Sequence, residues 1–129
     1  VDFGLNRDDV GECNFFSSSA AIAALNSLDW LEEANEYISN NRLFLSSYIH
    51  SYISLLNLVD SSSTYLAWID ISSLKIDADK FIEVCKDRGL IISSGSLYGD
   101  SNFIRLNLAV PKSVLTNGLD RLKEAVGSL

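Results

Sequence analysis

The chain has 129 residues, 47% of them hydrophobic and 21% charged, with a formal net charge of −7. That length suits one domain able to bury roughly two thirds of its unfolded surface, and no apolar run approaches the ~20 residues needed to span a bilayer. The ten lysines and arginines are scattered through an acidic chain, which excludes a nucleic-acid partner, since a phosphate backbone needs a basic stripe.

The opening stretch VDFGLNRDDVGEC has no basic start and no apolar core of the kind a secretory leader carries. The absent initiator methionine gives the expectation of an excerpt from a longer chain. Residues 1–26 read as a lead-in segment, and 27–129 as the domain proper. Within the lead-in, SSSAAIAALN (17–26) reads as a short helix with a serine start. Cys13 and Cys85 are far apart and form no short-spaced zinc pair; two unpaired thiols of a reducing compartment are expected, with one disulfide between them as the alternative.

Asp29 with Glu32 three residues on has the spacing of a capping box. Leu31, Ile38, Leu45 and Tyr52 then recur every seven residues, and Leu28, Ala34, Tyr48, Ile49 and Ile53 fill the same stripe. The pattern predicts an amphipathic helix of about 25 residues, weakened near Asn40 and Asn41. The lone histidine, His50, falls in that helix with no metal or triad spacing around it, and reads as a surface or boundary residue.

TYLAWIDI (64–71) is rich in aromatic and β-branched residues and predicts a strand after the turn signal DSSS. Asp77 reads as the N-cap of ADKFIEVCKDR, whose apolar face is Phe81, Ile82 and Cys85, and Gly89 as the glycine that ends it. LIIS (90–93) predicts a short strand, GSLYGDSN a loop, and FIRLNLAV (103–110) the next strand. Pro111 fits the first turn of a last helix carrying Leu115, Leu119, Leu122 and Val126 on one face. Asp70, Asp77, Asp79 and Asp87 match no calcium loop and read as solvated; no metal site is expected.

These elements predict an α+β fold: a small, partly antiparallel three-stranded sheet with helices packed on one face. Alternation along FIRLNLAV sends Ile104, Leu106, Leu108 and Val110 to one face, and Phe103, Arg105, Asn107 and Ala109 to the other. Arg105 therefore stands away from the core. Either that face is simply wet, or Arg105 points into a cleft and offers its planar fork to a carboxylate. GSLYG is too poor in glycine, and too far from a helix start, for a phosphate cradle. It lacks the central serine of a hydrolase elbow, which leaves Tyr98 exposed or rimming a pocket.

Four stretches together resemble a known family: Thr64–Trp68 (Thr-Tyr-Leu-x-Trp), Ser93–Gly99 (Ser-x-Gly-Ser-x-Tyr-Gly), Phe103–Asn107 (Phe-x-Arg-Leu-Asn) and Pro111–Leu115 (Pro-x-Ser-x-Leu). In this order they resemble the C-terminal part of the pyridoxal-phosphate-dependent aminotransferase superfamily. Within it, the chain is most similar to the carbon–sulfur lyases of the MalY/PatB cystathionine β-lyase type. The resemblance implies an aspartate-aminotransferase-like (fold type I) small domain in which Arg105 binds the α-carboxylate of an amino-acid substrate, with Tyr98 and Asn107 at the pocket rim. It implies that the Schiff-base lysine, the aspartate facing the pyridinium nitrogen and most phosphate ligands lie upstream, so this segment holds no catalytic residue and no cofactor ligand, and is inactive alone. For the whole protein it implies a cytoplasmic homodimer that eliminates a thiol from S-substituted cysteine to leave pyruvate and ammonia. An aminotransferase small domain is the alternative within the superfamily, and a non-enzymatic α+β binding module the alternative outside it. An enzyme domain should show an apolar docking surface, with residues 20–25, Tyr48 and Tyr52 as candidates, whereas a free module should not.

Overall fold

The computed structural model describes residues 14–61 and 63–129. Cys13 and the opening stretch lie outside the described residues. The chain divides into two compact units, Val1–Asn35 and Glu36–Leu129.

In the described part of the first unit, helix α1 (Ser17–Leu25) buries none of its residues. Its alanine-rich sequence favours helix without supplying an apolar stripe. Phe15, Phe16, Ile22, Leu25, Leu28, Trp30 and Leu31 are all exposed. Helix α2 (Leu28–Tyr52) begins before Asp29, which sits in its first turn. Leu31 N–H bonds back to Ser27 O at 3.2 Å, so Ser27 rather than Asp29 precedes the helix.

The second unit is two layers. The sheet has four strands, all antiparallel, in the order β1–β2–β4–β3: β1 Asn57–Leu58, β2 Leu66–Asp70, β3 Ser93–Ser94 and β4 Phe103–Asn107. The expected three-stranded, partly antiparallel sheet thus gains an edge strand. Asn57–Leu58 is too short to leave a period of its own, and only its pairing with Ile69 and Asp70 defines it. LIIS contributes only its final serine to pairing.

Alternation along β2 and β4 buries Ala67, Ile69, Ile104 and Leu106 on one face. Onto that face pack Leu45 and Ile49 of α2, Phe81 and Cys85 of α3 (Ala78–Lys86), and Leu115, Leu119 and Leu122 of α4 (Lys112–Val126). Burial of each leucine, isoleucine and phenylalanine among them stabilises by roughly 1.5–3 kcal/mol. Asp77 caps α3 as expected, accepting from Asp79 N–H at 2.9 Å, and Gly89 takes a φ of +70° just beyond it. Pro111 caps α4 from outside its first turn.

Two predicted features take a different form. Helix α2 runs unbroken through Asn40 and Asn41, because the Asn41 amide turns inward and donates to Leu108 O at 2.9 Å and Val110 O at 3.0 Å. An asparagine that would weaken an exposed helix here closes the gap to the β4–α4 connection. Tyr48, expected on a docking surface, is buried against α4 with its hydroxyl donating to Asp120 Oδ1 at 2.6 Å. Tyr52 and residues 20–25 are exposed.

Candidate functional site: an arginine on the open sheet face

The face of the sheet away from the helices carries Leu66, Trp68 and Asp70 from β2, and Phe103, Arg105 and Asn107 from β4. Register sets Ser93, Arg105 and Trp68 in one row across β3, β4 and β2. The loop that follows β3 then folds onto this row. Ser94 accepts from Ser96 N–H at 3.1 Å and starts a single 3-10 turn, Gly95–Tyr98, closed by Gly99 at φ +95°. At Gly95 an added Cβ would lie 2.3 Å from Asp100 O and 2.6 Å from Phe103 O, so only glycine lets the loop approach β4 this closely.

The turn delivers Tyr98 to the guanidinium of Arg105, whose Cζ lies 4.6 Å from the ring centroid. Trp68 braces the same ring edge-on at 5.6 Å, and contacts Phe103 at 5.8 Å. Arg105 also reaches Ser93 Oγ, at a long 3.4 Å. Tyr98 is exposed, with its ring against that guanidinium. Asn107 lies on the open face, with its Oδ1 already accepting from Ala109 N–H at 2.8 Å. Arg105, Asn107, Ser93, Tyr65 and Arg121 line an open groove of ≈ 960 Å³ running between the β3 edge and α4.

The other arginines among the described residues are committed to main-chain carbonyls. Arg42 donates to Thr64 O at 2.8 Å and Leu66 O at 3.2 Å. Arg88 donates to Val84 O at 3.0 Å, and Arg121 to Gly89 O at 2.6 Å. Arg105 has no carbonyl and no carboxylate partner among the described residues, although it is half-buried. A cation in that position, with most of its five donors unspent, is suited to an anion from outside.

The described residues do not fit a bound pyridoxal phosphate. No lysine stands on β2, β3 or β4. Lys86 pairs with Glu83 at 2.6 Å, while Lys112 and Lys123 lie over the rings of Phe44 and Tyr52. Lys75, three residues after Ser72, is exposed at the end of a 3-10 turn. His50 is exposed, and no group of metal-ligating side chains occurs among the described residues. No helix there is long and apolar enough to cross a membrane.

Sequence reasoning isolated Arg105, Tyr98 and Asn107 but missed Trp68 and Ser93 as its cross-strand neighbours. The alternation of LAWID carried part of that signal; the register did not exist until the strands paired.

The fold is of the aspartate-aminotransferase type, fold type I, as in the pyridoxal-phosphate-bound enzymes that the structure matches. It is 29% identical over 124 residues to protein MalY of Escherichia coli strain K12, covering 93% of this chain and 32% of that protein. It is likewise 29% identical over 126 residues to the cystathionine β-lyase PatB of Bacillus subtilis strain 168, covering 95% of this chain and 33% of that one. Its structure matches a pyridoxal-phosphate-bound putative aminotransferase from Clostridium difficile 630 with a TM-score of 0.89 and 31% identity, over 97% of this chain and 33% of that one. No protein-family model matches the chain. The chain spans about a third of the length of the relatives it matches.

Proposed function

We propose that this chain supplies the substrate-carboxylate site of a pyridoxal-phosphate-dependent carbon–sulfur β-lyase of the cystathionine β-lyase type. The observation that carries the reading is Arg105: half-buried on a strand, beside a groove, and without a counter-ion among the described residues. A strand fixes the root of its side chain and the face it leaves from, and two parallel bonds to a carboxylate orient an amino acid better than a point charge would. The similarity to PatB over nearly the whole chain supports the lyase class.

In this reading the whole protein converts an S-substituted cysteine and water to a thiol, pyruvate and ammonia. Pyridoxal phosphate supplies the electron sink for that chemistry, and the polypeptide outside this chain holds it. The segment alone is then inactive. Residues 1–26 lead in from the larger part, residues 27–129 form the small domain, and the whole protein is a cytoplasmic homodimer. The exposed apolar residues of α1 and the start of α2 support this over a free-standing binding module, since large apolar side chains left open in such number suit a surface that the rest of the protein covers. An aminotransferase is the second reading, favoured by the 31% identity to the Clostridium difficile structure.

The test is to incubate the full-length protein with pyridoxal phosphate and cystathionine and to follow pyruvate, in wild-type form and as Arg105→Ala. Pyruvate from the wild type, with a loss of roughly 2–4 kcal/mol in kcat/KM for the variant, is the expected result. Amino-group transfer to a 2-oxo acid without pyruvate moves the reading to the aminotransferase. Failure to bind the cofactor overturns both.

A further inference from the structure

Arg105 has the two properties a recognition cation needs, a fixed root on β4 and free donors. A fixed root does not fix a long side chain, however. Arginine carries about 2 kcal/mol of rotamer entropy, and an unpaired guanidinium would sample several directions before meeting an anion. Ser93 restrains it weakly, through a single 3.4 Å contact. The stronger restraint is a ring. The Cζ of Arg105 lies 4.6 Å from the centroid of Tyr98, within the range in which a cation is held by the negative face of an aromatic ring.

Tyr98 is itself held in place. Its loop is capped by Ser94, is closed by Gly99, and is pressed against β4 where Gly95 admits no side chain. Trp68 meets its ring edge-on at 5.6 Å, and Trp68 is the residue directly opposite Arg105 in the β2–β4 register. Tyr98 is nevertheless 53% exposed, and its hydroxyl makes no hydrogen bond among the described residues. Packing alone gives little reason for a tyrosine here; a flat face against the guanidinium does.

From this we infer that Tyr98 is a positioning residue: its ring holds the plane of the Arg105 fork in the orientation that receives a carboxylate, with Trp68 bracing the ring. The inference rests on the carboxylate reading of Arg105. The face of the ring, not its hydroxyl, carries the effect. Tyr98 lowers the entropy lost when the carboxylate binds, so it contributes to affinity equally before and during reaction, and its loss raises KM with little change in kcat.

The test uses the full-length protein and propionate, a carboxylate without an amino group, with affinity read directly by saturation-transfer NMR. The variants are Arg105→Ala, Tyr98→Leu, Tyr98→Phe, and phenylalanines of increasing fluorination at position 98, which drain the ring face while keeping its shape. Tyr98→Leu should weaken propionate about 3- to 30-fold. Tyr98→Phe should stay within about twofold of wild type, and each added fluorine should weaken binding further. For turnover, Tyr98→Leu should raise KM and leave kcat within about threefold. If Arg105→Ala abolishes propionate binding while the leucine variant and the fluorinated series stay at wild-type affinity, the positioning role of Tyr98 is overturned and the carboxylate reading survives. A phenylalanine variant as weak as the leucine one assigns the effect to the hydroxyl and also overturns it. Should Arg105→Ala bind propionate as wild type does, the carboxylate reading fails and this inference falls with it.

Discussion

Asn41 in the middle of α2 is joined to Leu108, 67 residues later, by an amide hydrogen bond of 2.9 Å that is buried from solvent. A second bond from the same Nδ2 reaches Val110 O at 3.0 Å. Together they satisfy two carbonyls that the end of β4 cannot pair within the sheet, and they tie the strand carrying Arg105 to the helix layer.

Removing that tie leaves a buried carbonyl and a half-buried one unpaired. Asn41→Ala should cost roughly 1–3 kcal/mol of stability, read as a lower urea midpoint. Asn41→Asp, which sets a carboxylate against two carbonyl oxygens, should cost more. An Asn41→Ala protein with an unchanged midpoint would mean the amide contributes nothing net.

Arg42 gathers the carbonyls of Thr64 and Leu66, and this clamp accompanies a strained residue: Thr64 is β-branched and sits at φ +63°. Left-handed backbone favours asparagine over threonine. The exposed Thr64 can therefore be replaced, and Thr64→Asn should raise stability by roughly 0.5–1 kcal/mol, whereas Arg42→Lys, which keeps the charge and loses the fork, should lower it. Thermal melts of the two variants, moving in opposite directions, are the measurement.

Gly95 and Gly99 bracket the Tyr98 turn for different reasons. A side chain at 95 has no room, so Gly95→Ala should cost about 1–3 kcal/mol from overpacking and should displace Tyr98 from Arg105. At Gly99 nothing lies within 4 Å of an added Cβ, and only the φ of +95° resists. Gly99→Asn should therefore cost less than Gly95→Ala. Crystal structures of the pair, compared at the Tyr98 ring, would decide whether the tight approach is what aims it.

Burial pushes the Cys85 thiol up to about 11, with Arg88 pulling weakly the other way. The folded state thus holds its proton where the unfolded chain releases it, near 9. The stability this contributes is fully present below pH 9 and is lost as the pH rises from 9 through 11. Tyr48 adds to the same trend at higher pH, since burial first, and then the bonded Asp120 carboxylate, raise its phenol above the usual value of 10. Denaturation followed from pH 8 to 11 should show falling stability, with Cys85→Ala flattening the slope. An equal slope in wild type and variant would assign the alkaline loss elsewhere. The same burial should leave Cys85 unreactive to alkylating reagents at neutral pH.

The sequence by itself determined the elements whose signals are local. Period seven marked α2, Asp77 and Gly89 marked the ends of α3, and period two put Arg105 on the face opposite Ile104 and Leu106. These follow from side-chain geometry within one helix turn or one strand, so they can be read before anything packs. The ordered motifs around Trp68, Tyr98, Arg105 and Pro111 also pointed to the fold. Only the tertiary structure decided what depends on partners distant in the chain. Asn57–Leu58 became a strand because β2 was there to pair with it. Asn41 sits within an unbroken helix, its amide turned to the carbonyls that Leu108 and Val110 offered, and Tyr48 left the surface for Asp120. The Ser93–Arg105–Trp68 row, and the ring that lies on its centre, exist only through strand register and the fold of one tight loop. A hydrogen bond or a stack needs two groups at one place, and sequence spacing fixes that place only for near neighbours.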